Sequence, residues 1–350
     1  MDHLSRTQKL QNTLKSSTEA LIIEEPINIF YLTGCDISTG TLYISKHRST
    51  LLVDGRYFES CTGKCSIDVM LIEEGTLPHL IQKDSIASLG LDANTTTVAR
   101  MEKLKESLPG IAIIPLDAPI SALRIIKDEQ EIALLRTAAQ LGSSGYDHAV
   151  SLLKPGITER EVASSLEIYW LQQGGNGLAF APIIAFGANS ALPHHRAGDT
   201  VLKENDSILI DIGVVKDKYH SDMTRVKTIG TAPKEWHHIY AIVREAHEQA
   251  MKACKAGITA GELDQIARSH ITENGYAAYF THSLGHGVGL EIHENPFIRN
   301  KKPQADVILQ AGMVITIEPG IYIPGMGGVR LENTVIVNEN GCEDITLRNL

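Results

Sequence analysis

Apolar and polar positions change period several times along the chain, and the changes mark out its elements. Residues 4–16 carry leucines at helical spacing on a polar background, which predicts a short amphipathic helix. ALII (20–23) reads as a buried strand, and TLYIS (41–45) and STLLVD (49–54) as strands separated by turn residues. NIFYLTG (28–34) reads as strand-and-turn core. Alternation of helix and strand continues to IAIIP (111–115), where DAP (117–119) breaks it, and a long helical stretch begins near Lys127. A domain boundary is therefore expected at about 120–126, giving an α/β domain over 1–122 and a second over 123–350.

The second part contains an internal repeat. KPGITEREVA (154–163) recurs as KAGITAGELD (255–264), each with a capping box, Thr158 with Glu161 and Thr259 with Glu262. Each copy follows a longer helical stretch (128–150 and 233–253) and runs on to a glycine stop, Gly174 and Gly275. After each copy comes an apolar strand ending in an acid and a glycine, SILIDIG (207–213) and VITIEPG (314–320). A second acid-bearing strand follows each, YHSDMTRV (219–226) and VRLENTVIV (329–337).

Hairpins folded about the sequence midpoints, Lys216–Asp217 and Gly325, would set Asp211 opposite Asp222 and Glu318 opposite Glu332. Alternation would also put Arg330, Glu332 and Thr334 on one face of their strand. Two carboxylates ~4 Å apart repel by about 4 kcal/mol in a protein-like dielectric, so protons, arginines or cations must neutralise them. Four carboxylates in a repeated frame suit a pair of divalent metals best, because their oxygens can bridge.

THSLGHGVGLEIHE (281–294) interleaves His282, His286 and His293 with glycines. His282 and His286 have the spacing of a helical metal pair, but the glycines argue against a helix there. No HExxH motif is present, and Gly285-x-Gly-x-Gly lacks the context of a nucleotide loop. ALPHHR (191–196) places His194 and His195 in a loop.

Composition narrows the class without changing this picture. The net charge of -10, with no basic block, argues against nucleic acid as the main partner. No stretch approaches the ~20 apolar residues of a membrane span, and no apolar signal run opens the chain. The 5 cysteines are scattered without a CxxC pair, the usage of a reducing compartment, so a soluble cytoplasmic enzyme is expected.

SALPH, LIDIG with SDMTR, HSLGHGVGLEIHE, ITIEPGIYIP and VRLENT together resemble the motif set of the pita-bread metallopeptidases, within them the Xaa-Pro branch of prolidase and aminopeptidase P. NIFYLTG, LLVDGRY (51–57) and LRIIKDEQEIALLR (123–136) are similar to the creatinase-like N-terminal domain of that branch. The resemblance implies an α/β (α+β) chain with such a domain ahead of a pita-bread catalytic domain of pseudo-twofold symmetry. It implies two divalent metals, manganese foremost, with cobalt or zinc as alternatives. Asp211 would hold one metal, His286 and Glu318 the other, and Asp222 and Glu332 would bridge both. His194 and His293 would contact substrate, Glu318 would move a proton, and His282, Tyr322 and Arg330 would support the ligands. A hydroxide shared by the metals would cleave the bond between an N-terminal residue and proline in a peptide or dipeptide. His195 departs from the pattern, since many relatives have glycine there, which leaves the pocket rim open. A methionine-type aminopeptidase and a non-catalytic peptide-binding relative are the alternatives, and a homodimer is expected.

Overall fold

The computed structural model describes residues 1–346. The chain divides into two compact units, Met1–Arg124 and Ile125–Leu350. Among the described residues no helix is long and apolar enough to cross a membrane.

The first unit is built on one six-stranded sheet. Its order is Asp68–Leu71, Ser49–Val53, Thr41–Ser45, Ala20–Ile23, Ser88–Asp92, Ala112–Leu116. The three consecutive strands from Ala20 to Val53 pair antiparallel, and the outer strands add parallel. ALII and TLYIS are buried along their whole length, which explains their lack of polar alternation. The first helix spans His3–Asn12 and starts at Asp2, whose side chain accepts the Ser5 N–H; it stops short of the expected residue 16. NIFYLTG is not a strand. It lies in a helix, Pro26–Thr33, with proline in its first turn and Gly34 closing it at a φ of 76°. Its residues are apolar because that helix is mostly buried, and the short run concealed the helical period.

In the second unit the repeat is visible as two helix pairs. Long helices Glu129–Leu152 and Lys234–Ala253 each precede a shorter one, Glu159–Gln172 and Ala260–Glu273. Both capping boxes form. Thr158 accepts from the Glu161 N–H at 3.2 Å and Thr259 from the Glu262 N–H at 3.1 Å, while each glutamate returns the bond to its threonine. Gly174 and Gly275 stand just past the helix ends with φ of 83° and 89°. Against these helices pack a sheet of Ile183–Phe186, Ser207–Ile212 and Met223–Thr228, and a five-stranded sheet that includes Gly285–Gly287, Val314–Ile317 and Asn333–Asn338. One apolar cluster fills each half, around Trp170, Ile210 and Met223 in the first and around Val243, Leu263 and Ile315 in the second.

The two hairpins differ in register. In the second, Ile317 faces Asn333 and Gly320 faces Arg330 about a turn at Gly325, so Glu318 and Glu332 meet in register as expected. In the first, Asp211 faces Thr224, not Asp222. The turn there is the pair Asp217–Lys218, flanked by Lys216 opposite Tyr219. Both turn residues have positive φ, 50° and 74°, as a tight two-residue hairpin turn requires. Moving the turn along the chain shifts each facing partner by two residues. Asp222 therefore lies diagonally from Asp211 rather than across from it.

Candidate active site

The acid-bearing strand ends of both halves converge on one cavity of about 680 Å³, lined among others by Asp211, Asp222, His286, Glu318, Arg330 and Glu332. Donor atoms of Asp222, His286 and Glu332 lie within 4.8 Å of one another. His286 Nε2 is 3.4 Å from Glu318 Oε1 and 3.6 Å from Asp222 Oδ2. Asp211 stands outside the tight group of three. Arg330 donates to its Oδ2, while its Oδ1 is buried with no hydrogen-bond partner.

Glycine backbone lets His286 reach this position. A Cβ on Gly285 would sit 2.0 Å from the Thr316 carbonyl oxygen, which cannot give way without moving a strand of the site. The His286 N–H bonds Thr316 Oγ1 at 3.1 Å, and Thr316 Oγ1 is in turn 3.3 Å from Glu318 Oε1. Gly285→Ala is therefore expected to cost about 2 kcal/mol or more in stability, by overpacking, and to cut activity further than that loss explains. Chemical denaturation beside kcat measures both; a fully active, equally stable variant would contradict the packing account.

Arg330 and Thr224 knit the carboxylates together. Arg330 donates from Nε to Thr224 Oγ1 at 3.0 Å and from Nη1 to the Tyr322 hydroxyl at 2.8 Å. His282 Nε2 meets the same hydroxyl at 2.8 Å. Thr224 donates to Glu332 Oε2 at 2.6 Å, and Thr334 donates to the Asp222 carbonyl at 2.8 Å. Arg330, Glu332 and Thr334 thus act on one face of their strand, as alternation requires. Behind them the buried Arg225 donates to the carbonyls of Thr224 and Glu332. His194 and His293 line the cavity at its exposed side, and the His293 and His286 rings are 4.3 Å apart, edge to face.

The electrostatics are those of a site short of positive charge. Burial, then repulsion from Glu332, Asp211 and Glu318, holds the Asp222 carboxyl well above its ordinary range. Burial and Glu332 do the same to Glu318, and burial with Asp211 pushes Glu332 up to about 7. Asp211 is raised by burial despite Arg330. Burial lowers His286 to about 3, so its ring is neutral. Its Nδ1 bonds the Gly287 carbonyl at 3.1 Å, and a carbonyl can only accept. The proton therefore sits on Nδ1, and Nε2 turns a bare lone pair towards carboxylate oxygens. A lone pair, crowded carboxylates and the unpartnered Asp211 Oδ1 all fit divalent cations bound among them.

The structure gathers the eight predicted residues of the site interior and sets His194 and His293 at its rim. Reading the sequence alone missed Thr224, Thr316 and Arg225. Their partners lie far along the chain, and no local signal marks them.

Comparison with known proteins agrees with this arrangement. The family model of "Metallopeptidase family M24" matches residues 133–339, and that of "Creatinase/Prolidase N-terminal domain" matches residues 6–126. A Pyrococcus furiosus protein named "Xaa-Pro dipeptidase" is 38% identical over 343 residues, covering 97% of each chain. A Bacillus subtilis protein named "Uncharacterized peptidase YqhT" is 33% identical, again over 97% of each. Among solved structures, an Xaa-Pro dipeptidase from Bacillus anthracis superimposes with a TM-score of 0.96 at 33% identity, over 99% of this chain and 98% of that one. An X-Pro aminopeptidase from Thermotoga maritima gives 0.90 at 32% identity, over 98% of each. The chain belongs to metallopeptidase family M24, with a pita-bread catalytic domain behind a creatinase/prolidase N-terminal domain.

Proposed function

We propose that this chain hydrolyses the bond between an N-terminal residue and a following proline, and that Asp211, Asp222, His286, Glu318 and Glu332 hold two divalent cations, manganese foremost. The observation that carries the metal reading is the bare His286 Nε2 directed at the Glu318 and Asp222 carboxylates. The relatives named Xaa-Pro dipeptidase support the substrate. Cations bound there would polarise the scissile carbonyl and make a water acidic enough to attack near neutral pH.

The remaining steps belong to the protein's own groups. Glu318, which lines the cavity among the carboxylates, takes the proton of the attacking water and passes it to the departing proline nitrogen. His293 donates to the oxygen on which negative charge develops, and His194 contacts the substrate at the mouth of the cavity. Phe180, Ile183 and Phe297 give the cavity an apolar wall suited to a pyrrolidine ring, which has no N–H to bind. Arg330, committed to Asp211, Thr224 and Tyr322, fixes the carboxylates.

The test is hydrolysis of Ala-Pro and Ala-Pro-Ala by chelator-treated protein with manganese, cobalt or zinc restored. Cleavage of Ala-Pro alone identifies a dipeptidase, and cleavage chiefly of Ala-Pro-Ala an aminopeptidase. No cleavage of either with any cation, beside turnover of Met-Ala, would replace this reading with a methionine-type activity.

A further inference from the structure

One buried acid takes no part in the chemistry described above. Glu159, the first residue of its helix, is fully buried, yet a helix start is normally a solvated place. Its Oε1 accepts from the Phe186 N–H and from Asn189 Nδ2, both at 2.9 Å. Its Oε2 accepts from His195 Nε2 at 2.8 Å and from the Gly198 N–H at 3.1 Å. All four donors belong to one stretch of chain, 186–198, and His194 lies within it. The capping box of Thr158 and Glu161 fixes where the helix begins, and the helix dipole favours a negative charge at this position.

The second repeat has Ala260 where the first has Glu159, so the acid is not part of the shared helix-start signal. The other half steadies its histidine-bearing loop differently. There the buried Asp264 accepts the Leu284 N–H at 3.0 Å and holds Arg268, which donates to the His282 carbonyl at 2.8 Å.

The geometry points to Glu159 as a positioning residue that, acting through His195, sets the stance of His194 at the mouth of the cavity and so governs how tightly substrate binds. This rests on the substrate reading proposed above. It also gives His195 a purpose, because glycine there would offer Glu159 no side-chain donor. The segment between Leu192 and Gly198 has no regular structure apart from its turn. Its end is tied to the helix through the Gly198 N–H and through the Gly198 carbonyl, which accepts the Arg160 N–H at 2.9 Å, and the His195 bond is the side-chain tie nearest His194.

The test compares His195→Ala, His195→Gln and Glu159→Gln in the full-length, manganese-loaded protein, with Ala-Pro as substrate. Glutamine at 195 can place an amide N–H near the position of His195 Nε2. His195→Ala is expected to raise KM about tenfold with kcat within about twofold, and His195→Gln to recover most of that loss. Bound manganese is expected to be the same in all. Adding Glu159→Gln to His195→Ala should do less than the two effects combined. A fall in kcat or manganese content at unchanged KM, or equal losses in the Ala and Gln variants, would overturn the assignment. Hydrogen exchange across 186–198 checks the contact without any substrate. It should quicken in His195→Ala and Glu159→Gln but not in His195→Gln, and unchanged exchange in all three defeats the inference. Failure of the wild-type protein to cleave either Ala-Pro or Ala-Pro-Ala would instead defeat the substrate reading and leave the exchange result to decide this one.

Discussion

Asp222→Asn lowers kcat/KM for Ala-Pro by about a thousandfold or more, and at the same time raises the melting temperature of the metal-free chain at pH 8. Both effects come from one position. Asp222 offers an oxygen within 4.8 Å of donor atoms from His286 and Glu332, and it carries the repulsion of three other buried acids. Asparagine keeps its shape but removes the charge and one donor oxygen, so the proposed cation site would lose one of its carboxylates. The same exchange relieves a group whose ionisation burial opposes. A substitution that merely damaged the fold would lower activity and melting temperature together. Steady-state kinetics and thermal melting of one preparation separate the cases, and an active Asp222→Asn enzyme would remove Asp222 from the reaction.

The second large effect concerns pH in protein stripped of divalent cations. Glu332 holds its proton to about 7 in the fold, against an ordinary value of 4.5, and burial with repulsion from neighbouring acids holds Asp222 and Glu318 well above theirs. Wherever the folded chain binds more protons than the unfolded one, stability falls as pH rises. The stabilisation is complete below the unfolded values and is lost through the folded ones. Below 6.5 a second set of groups works the other way. His247, His282 and His286 are held near 3 by burial, so unfolding takes up protons there. Above about 7.5, a unit past their ordinary value, those imidazoles are neutral in both states, and the carboxyls remain.

Between about pH 7.5 and 8.5 the metal-free protein should therefore lose about 1.4 kcal/mol per pH unit for each carboxyl that still keeps its proton only when folded, Glu332 having given up most of its own by the start of that range. For a domain of this size that is a fall of roughly 3 °C per unit per proton. Bound divalent cations compete with those protons, so restoring manganese should raise the melting temperature most at the high end of the range. Scanning calorimetry after chelation reads this directly. A melting temperature that holds steady or climbs from about pH 7.5 to 8.5 would mean the four acids are not the electrostatic burden described here.

Local signals were the legible ones. The capping boxes and glycine stops of the repeat involve residues three or four apart, and both formed as read. The Gly325 turn declared itself through IPGMGG, and the register of Glu318 and Glu332 followed from it. The first hairpin slipped because its turn uses Asp217 and Lys218 in a left-handed conformation, with no glycine to mark the place. Its four-acid chemistry survived the slip because a shift of two residues keeps a side chain on the same face. NIFYLTG carried its true signals at its ends, Pro26 and Gly34, rather than in its apolar middle. Glu159 was hidden for another reason. It meets Phe186 across 27 residues and Gly198 across 39, and a helix-start glutamate reads as a solvated cap until those partners are in place.

The slipped register also means that the two halves are no longer interchangeable parts. A duplicated unit that kept its symmetry could be exchanged with its copy, and either half could serve twice. Two copies of the first half would bring a pair of staggered aspartates twice over, with no counterpart of His286. Two copies of the second would bring facing glutamates twice, with alanine at both places where Glu159 should stand. Neither tandem chain assembles the five converging donors or the anchored His194 segment. What began as repetition has become a division of labour between a half that supplies the anchored His194 segment and a half that supplies the buried imidazole.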